Sequence, residues 1–464
     1  MATVNKTHKD YDEMLSRWQA CEDASDGQYE IHKAGEKYLP RLKDQSNDDY
    51  NAYKSRALFY NATWRTIAGL QGMLFRKPPT VDVSASLEPL LEDVTMSGES
   101  LNDFVFSITE DALELGRVGI LVDYPQNDYT GLTQADVAAL NLRPCLKDYD
   151  AFEIINWREE RINNRTVLSL VVLTEDFEIR KNEFEYDCET RYRVLDLFEG
   201  KYRQRVFRVN DRDEDELISE SFPLMNNNTM DHIPFIFIGV DSLRPDIETP
   251  PLIDLVDANL SHYRVNADYE HGCHFTGLPT PVVSGYSKQD DSEKLYIGST
   301  SAWVFPDPDA SASYLEFSGQ GLSALENNLR QKEQMMAILG ARMLSADKKG
   351  VEAADTAAIY RSGENSVLSA MAQNISNGIT WCLNVMDMWA GGDGVVSFEL
   401  NRDFIGHQLS GQDLLALVQS WQSGAISSNT LFYKLEQGEM YPDNTDFQTE
   451  MELIQNNSQN NLQM

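Results

Sequence analysis

The sequence predicts an α+β fold, and three observations carry that prediction. Long segments with apolar residues at helical spacing occupy the first hundred and the last two hundred positions. Between Pro144 and Val240 they give way to strand-length apolar runs separated by Asn-, Gly- and Asp-rich turns. An amphipathic segment, Leu252 to Phe275, is then separated from another, Gly321 to Leu344, by a small turn-rich insert.

Taken in order, Tyr11, Leu15 and Trp18 mark a first helix. Tyr50, Tyr53, Ala57 and Tyr60 form a stripe that Trp64, Ile67 and Leu70 extend toward Leu74. Lys77-Pro78-Pro79 ends it, because proline cannot continue the hydrogen-bond ladder. A helix over Leu101–Leu115 runs through Gly116 into a buried strand, Val118–Tyr124. Further strands are expected at Phe152–Trp157, Val167–Leu173, Tyr192–Leu197, Tyr202–Val209 and Pro234–Ile238. Asn163-Asn164 and Glu199-Gly200 suit hairpin turns.

Thr249 can cap the next helix, with Pro250 tolerated at its start. Leu252, Leu255, Val256, Leu260 and Tyr263 form one face; Asp254, Asp257, Asn259, Ser261 and His262 fall mostly opposite. About 24 residues at 1.5 Å each reach roughly 36 Å. The insert offers strands at Pro281–Val283, Ser301–Phe305 and Ser313–Phe317 around Pro306-Asp307-Pro308-Asp309. Leu322, Leu325, Leu329, Met336 and Leu339 mark the second helix of this arm. Ser345–Gly350 reads as a loop, and Ala353–Trp389 as a long helix kinked near Ser362-Gly363-Glu364-Asn365. Helices over Gln412–Trp421 and Asn429–Glu436 precede a low-complexity tail.

Composition narrows the function. The 464 residues carry 39 basic and 74 acidic side chains, a net of −35. Such a chain repels nucleic acid on average, so any contact with it is local or weak. Five scattered cysteines without a CxxC pair argue against a zinc ribbon or a disulfide framework and for a reducing compartment. No secretory signal is expected from the polar start, and no apolar run is long enough to span a bilayer. Phosphate-loop, HExxH and GxSxG patterns are missing, so no enzymatic activity, cofactor or metal is expected. Glu110 with Glu114, and Asp307 with Asp309, arise readily among 74 acids without catalytic meaning. His271, Cys273 and His274 are the best metal-like group, and no fourth ligand accompanies them. The C-terminal helix pair lacks the basic residues of a DNA reader. The few basic clusters are therefore informative: Arg191, Arg193, Lys201, Arg203, Arg205 and Arg208 on adjacent strands, and Lys348-Lys349 in the loop after the arm.

The order of these features resembles the portal proteins of tailed bacteriophages, in the branch of portal-like phage proteins grouped under a domain of unknown function. The residues that carry it begin with Phe59-Tyr-Asn-Ala-Thr-Trp-Arg-Thr-Ile-Ala-Gly-Leu70, Phe75-Arg-Lys-Pro78 and Gly119-Ile-Leu-Val-Asp-Tyr-Pro125. They continue with Pro250-Pro-Leu-Ile-Asp-Leu255, Pro279-Thr-Pro-Val-Val283, Tyr314-Leu-Glu-Phe-Ser-Gly-Gln-Gly-Leu322 and Ile359-Tyr-Arg-Ser-Gly-Glu-Asn-Ser366. The shared order covers about residues 50 to 440.

The resemblance implies a portal fold with an α/β wing body over 1–248, stem helices at 249–284 and 321–344, and a small α/β clip at 285–320. It further implies a tunnel loop at 345–352, a kinked wing helix with a return strand at 353–400, and a small helical crown at 401–464 with a disordered tail. The implied function is a homo-oligomeric ring, typically of twelve subunits, at one capsid vertex. Double-stranded DNA would pass through it without sequence specificity, during packaging and ejection. The implied partners are terminase, the major capsid or scaffold protein, and tail or adaptor proteins, with no membrane. The implied location is the virion, with host cytoplasm during assembly. By position, Lys348 and Lys349 would face DNA. Trp303, Phe305, Asp307 and Asp309 would dock the motor. Arg191, Arg193, Arg203 and Arg205 are candidates for bridges between subunits. Another head–tail connector or neck ring of the virion is the main rival, and a cytoplasmic enzyme of an undescribed class the third reading.

Overall fold

The computed structural model describes residues 3–125, 139–162, 164–210, 212–226, 228–277, 280–284, 309–315, 321–342, 367–402, 404, 411–437, 447–448 and 451. It opens with α1 (Lys9–Asp26), α2 (Gln28–Ala34), α3 (Asn47–Arg56) and α4 (Ala62–Leu74), then the short strand β1 (Thr80–Asp82). The stripe running from Tyr50 to Leu74 is not one helix, because the chain breaks between Arg56 and Ala62. Asn61 causes the break locally: its side-chain oxygen accepts from the amide of Trp64 and caps α4. Trp64 is left on the surface as a result.

α5 (Leu101–Leu115) starts on Ser100, whose hydroxyl accepts from the amide of Asp103. It stops at Gly116, which has a left-handed φ of 75°. A Cβ there would also stand 3.1 Å from the backbone of Pro250, so conformation and contact both require glycine. The chain enters β2 (Arg117–Asp123), the middle of an antiparallel sheet with β3 (Cys145–Tyr149) and, later, β11 (Phe235–Gly239). Arg117 is buried there, and its guanidinium has no hydrogen-bond partner among the described residues. It stacks instead between the rings of Trp157 (3.9 Å) and Phe237 (4.7 Å), whose π faces attract a cation.

β4 (Ile154–Ile162), β5 (Arg165–Arg180), β6 (Tyr186–Phe198), β7 (Lys201–Val209) and β8 (Asp215–Ser221) form an antiparallel meander. The two expected hairpins are present. Ile162 pairs with Arg165, and Phe198 with Lys201 across Glu199 (φ 52°) and Gly200 (φ 74°), the positive angles that a two-residue turn requires. β5 and β6 outrun their apolar cores, and their exposed outer halves continue the ladder, with the Thr190 hydroxyl donating to Asp176 across it. β8 carries no strand-like alternation and was not expected. It is held to β7 partly by ion pairs, Arg208 to Glu216 and Arg203 to Glu220.

The N-terminal segment bridges the two edge strands of the meander. Val4 donates its amide to the Asp215 carboxylate on β8 (3.0 Å), while His8 donates to the Ile155 carbonyl on β4 (2.8 Å). His8 also stacks on Trp157, with ring centroids 4.1 Å apart.

After β9 (Leu224–Met225), β10 (Asn228–Thr229) and β11 come α6 (Ile253–Gly277), β12 (Thr280–Ser284), β13 (Ser311–Leu315) and α7 (Leu322–Arg342). α8 (Val367–Trp389) follows, then β14 (Ser397–Glu399), which pairs with β1, and the terminal helices α9 (Gly411–Gln422) and α10 (Ser428–Gln437). The molecule is thus a mixture of helices and small sheets, with antiparallel strand pairing throughout the described residues. One apolar cluster runs through it, from Trp18 and Phe104 through Leu121 and Val171 to Val256, Tyr263 and Leu383. The strand expected at Ser301–Phe305 and the kink near Ser362–Asn365 lie outside the described residues.

Candidate functional site

The arm is rooted in the body rather than standing free of it. α6 begins just after Thr249-Pro250-Pro251, where the chain passes Gly116. Its sequence suggests one apolar face, with Asn259 and His262 among the polar residues opposite. The structure corrects this: Leu255, Val256, Leu260 and Tyr263 are buried, but so are Asn259, His262 and Asn266. Asn259 is buried because it terminates another helix. Its side-chain oxygen accepts from the amides of Ala62 (3.1 Å) and Thr63 (3.2 Å) and from the Thr63 hydroxyl (3.1 Å). Its amide group donates to the Tyr60 carbonyl at 2.8 Å. Those are the orphan donors at the first turn of α4, so a residue almost two hundred positions away completes its cap. Asn266 accepts from the Leu58 amide at 2.7 Å, and Asp268 accepts from the Tyr53 hydroxyl at 2.7 Å.

α7 shows the pattern the sequence predicts more closely, with Leu329 and Met336 buried on one stripe. A Cβ at Gly272 of α6 would lie 2.6 Å from Leu322, so the missing side chain lets the two helices approach. Gly340 of α7 similarly meets Thr66 of α4, whose Cγ2 would be 3.1 Å from a Cβ. Lys332 donates to the Ser261 hydroxyl at 2.7 Å. His262 faces Glu333 at 3.6 Å, and burial lowers its pKa despite that carboxylate. Beyond these contacts Met335 and Ile338 of α7 are exposed, and they border a groove shared with α6.

The residues singled out from sequence are placed as follows. Lys348, Lys349, Trp303, Phe305 and Asp307 lie outside the described residues, and Asp309 is exposed just before β13. The arginines of the meander have carboxylate partners in their own chain. Arg191 pairs with Glu189 (2.8 Å) over the Phe177 ring, and Arg193 with Glu175 (2.7 Å) and Asp123 (3.3 Å). Arg203 and Arg205 share Asp196, each at 2.7 Å. Burial alone would raise the Glu175 carboxyl, but Arg193 and Lys147 outweigh it and hold it at about 2. His271 packs edge-on against Tyr53, and Nε2 of His274 meets the Arg56 guanidinium at 3.3 Å. A neighbouring cation of that kind disfavours a metal at His274. Among the described residues no group of three or more His, Cys, Asp or Glu could hold one.

Sequence reading missed an acidic cluster where α1, α5 and the corner between β3 and β4 meet. Burial raises Asp111 to about 7, Glu114 to about 8 and Glu153 to about 7, and neighbouring carboxylates push in the same direction. Asp150, Glu22 and Asp26 are raised by burial first as well. Periodicity exposes no such cluster, because its members come from three separate segments.

Residues 251–390 match the family model described as "Domain of unknown function (DUF4055)", a span from the start of the arm to the end of α8. No curated protein matches the chain. Among solved structures it is similar to a chain from the virion of a native gene transfer agent particle. There the identity is 10% and the TM-score 0.39, with 86% of this chain and 94% of that one covered. A chain from the neck of the empty particle, computed with C6 symmetry, gives 10% and 0.39 over 79% and 86%. One from the neck of the native particle, computed with C12 symmetry, gives 11% and 0.39 over 87% and 97%.

Proposed function

We propose that the chain is the subunit of a portal ring at one capsid vertex of a tailed phage-like particle, a conduit for double-stranded DNA. The observation that carries this reading is the arm: two antiparallel helices, rooted in an α+β body by Asn259 and Asn266, with an insert between them. The order of sequence features that resembles portal proteins runs through the same elements. The charge agrees with it. Twelve such chains would carry a formal charge of about −420, a wall to which a polyanion does not stick. In this reading the insert between the helices docks the packaging motor, and capsid or scaffold and tail or adaptor proteins bind elsewhere on the ring.

Negative-stain images of the purified full chain test the reading. Rings with a central hole are expected, and particles without one would overturn it. A narrower test concerns Lys348 and Lys349, proposed to make salt-weakened, sequence-independent phosphate contacts in the channel. Reversing both charges to glutamate should cut DNA packaging or retention by about tenfold or more while rings still form. Wild-type packaging by that variant would remove the role.

A further inference from the structure

We infer that the groove between α6 and α7 receives a second copy of this chain, which inserts the outer face of its α4. The inference rests on the ring reading and names the surfaces through which neighbouring subunits meet. α7 turns one stripe toward α6. On the side that borders the groove, Gln331, Gln334, Met335 and Ile338 recur at helical spacing and carry no charge, in a chain where 24% of residues are charged. Met335 and Ile338 are 54% and 59% exposed. They border a groove of about 750 Å³ whose α6 wall presents Asp254 and Asp257 beside Ala258. Lys332 also lines it, with its ammonium bonded to Ser261. An uncharged strip beside a carboxylate rim fits an occupant with an apolar knob and a cation.

The chain carries that occupant on α4. Trp64 is 49% exposed, and the adjacent Arg65 is exposed with its guanidinium 5.2 Å from the Tyr60 ring centroid. One and two turns on, a Cβ added at Gly69 or Gly72 would meet nothing within 4 Å. The cation and the shelf of bare backbone thus share one helix face, with the knob at its edge. The two surfaces lie on opposite flanks of the α4–α7 pair. Thr66 and Gly340 mark where these helices touch, and Trp64 and Ile338 each stand two residues away, about 200° around their own helix. Two different patches facing opposite ways cannot satisfy each other across a two-fold axis. They join head to tail, and such contacts generate closed rings when the rotation per subunit divides a full turn. With each copy at −35, the approach is favoured where Arg65 meets Asp254 and Asp257.

The test uses the full chain with the exposed Cys188 and the half-buried Cys145 and Cys273 replaced by serine, and a short bis-maleimide cross-linker. A chain carrying both G69C and Q334C, exposed neutral positions on the two surfaces, should give a ladder of covalent oligomers, and either change alone should not. Separately, Ile338→Glu and Trp64→Glu, both at exposed positions, should each weaken assembly by about tenfold or more with the monomer still folded. If the unmodified chain assembles but the double-cysteine chain links no better than the single ones, the interface lies elsewhere and the ring reading survives. If the unmodified chain stays monomeric by light scattering at high concentration, the ring reading fails and takes this inference with it.

Discussion

Asn259→Leu should lower the stability of the fold by about 3–5 kcal/mol, although the two side chains are similar in size. The leucine would leave the Thr63 amide and the Thr63 hydroxyl without their Asn259 acceptor, and would take one of two partners from the Ala62 amide and the Tyr60 carbonyl, which also bond each other at 2.7 Å. Each buried group stranded in this way costs on the order of 1–3 kcal/mol. Asn266→Leu removes a single acceptor, for the Leu58 amide, and should cost about 1–2 kcal/mol. Denaturant midpoints check both values. Hydrogen exchange adds a local readout, because the first-turn amides of α4 should lose protection in the Asn259 variant before the rest of the core does. A loss under about 1 kcal/mol, with those amides still protected, would mean that α4 is not capped by α6.

Stability should rise, not fall, as pH is lowered from about 8 to about 5. Asp111, Glu114 and Glu153 have folded-state pKa values raised to about 7, 8 and 7, chiefly by burial. A carboxyl with a raised folded pKa binds its proton more tightly in the fold than in the unfolded chain. Its contribution is therefore fully present below the unfolded value near 4 and is lost as pH climbs through the folded value. Because these acids repel one another, they titrate as a group rather than one by one. Glu175 has the opposite sign. Held at about 2, it adds stability above the unfolded value and loses it only in strong acid. The two trends place the optimum in the mildly acidic range. Glu114→Gln should raise stability at pH 8 by about 1–3 kcal/mol and flatten the profile. A melting temperature that is level or falls between pH 8 and pH 5 would show that the cluster does not titrate in this way.

The elements themselves were largely legible. Strand-length apolar runs marked β2, β7 and β11 closely and the apolar part of β5, and Glu199-Gly200 identified its hairpin, because alternation and turn chemistry are local properties. β8 was not legible, since it has no alternation of its own and part of what holds it to β7 is ion pairing with Arg203 and Arg208. The polar face assigned to α6 failed for a related reason. Asparagine and histidine are polar by composition, and only the contact with α4 makes Asn259 a buried residue.

The same division holds for the arm. The sequence by itself determined that two long helices flank an insert, that the chain is strongly acidic, and that Lys348 and Lys349 follow the second helix. These are properties of order, spacing and charge, which no fold can change. Only the tertiary structure decided that α6 is a core helix, that Gly272 lets α7 settle beside it and Gly340 lets α7 settle beside α4, and that Arg193 and Arg203 have carboxylates of their own chain within reach. It also decided that Trp64 and Ile338 end on opposite flanks of one helical unit. Each of those facts depends on which residues, distant in sequence, come within a few ångströms of one another.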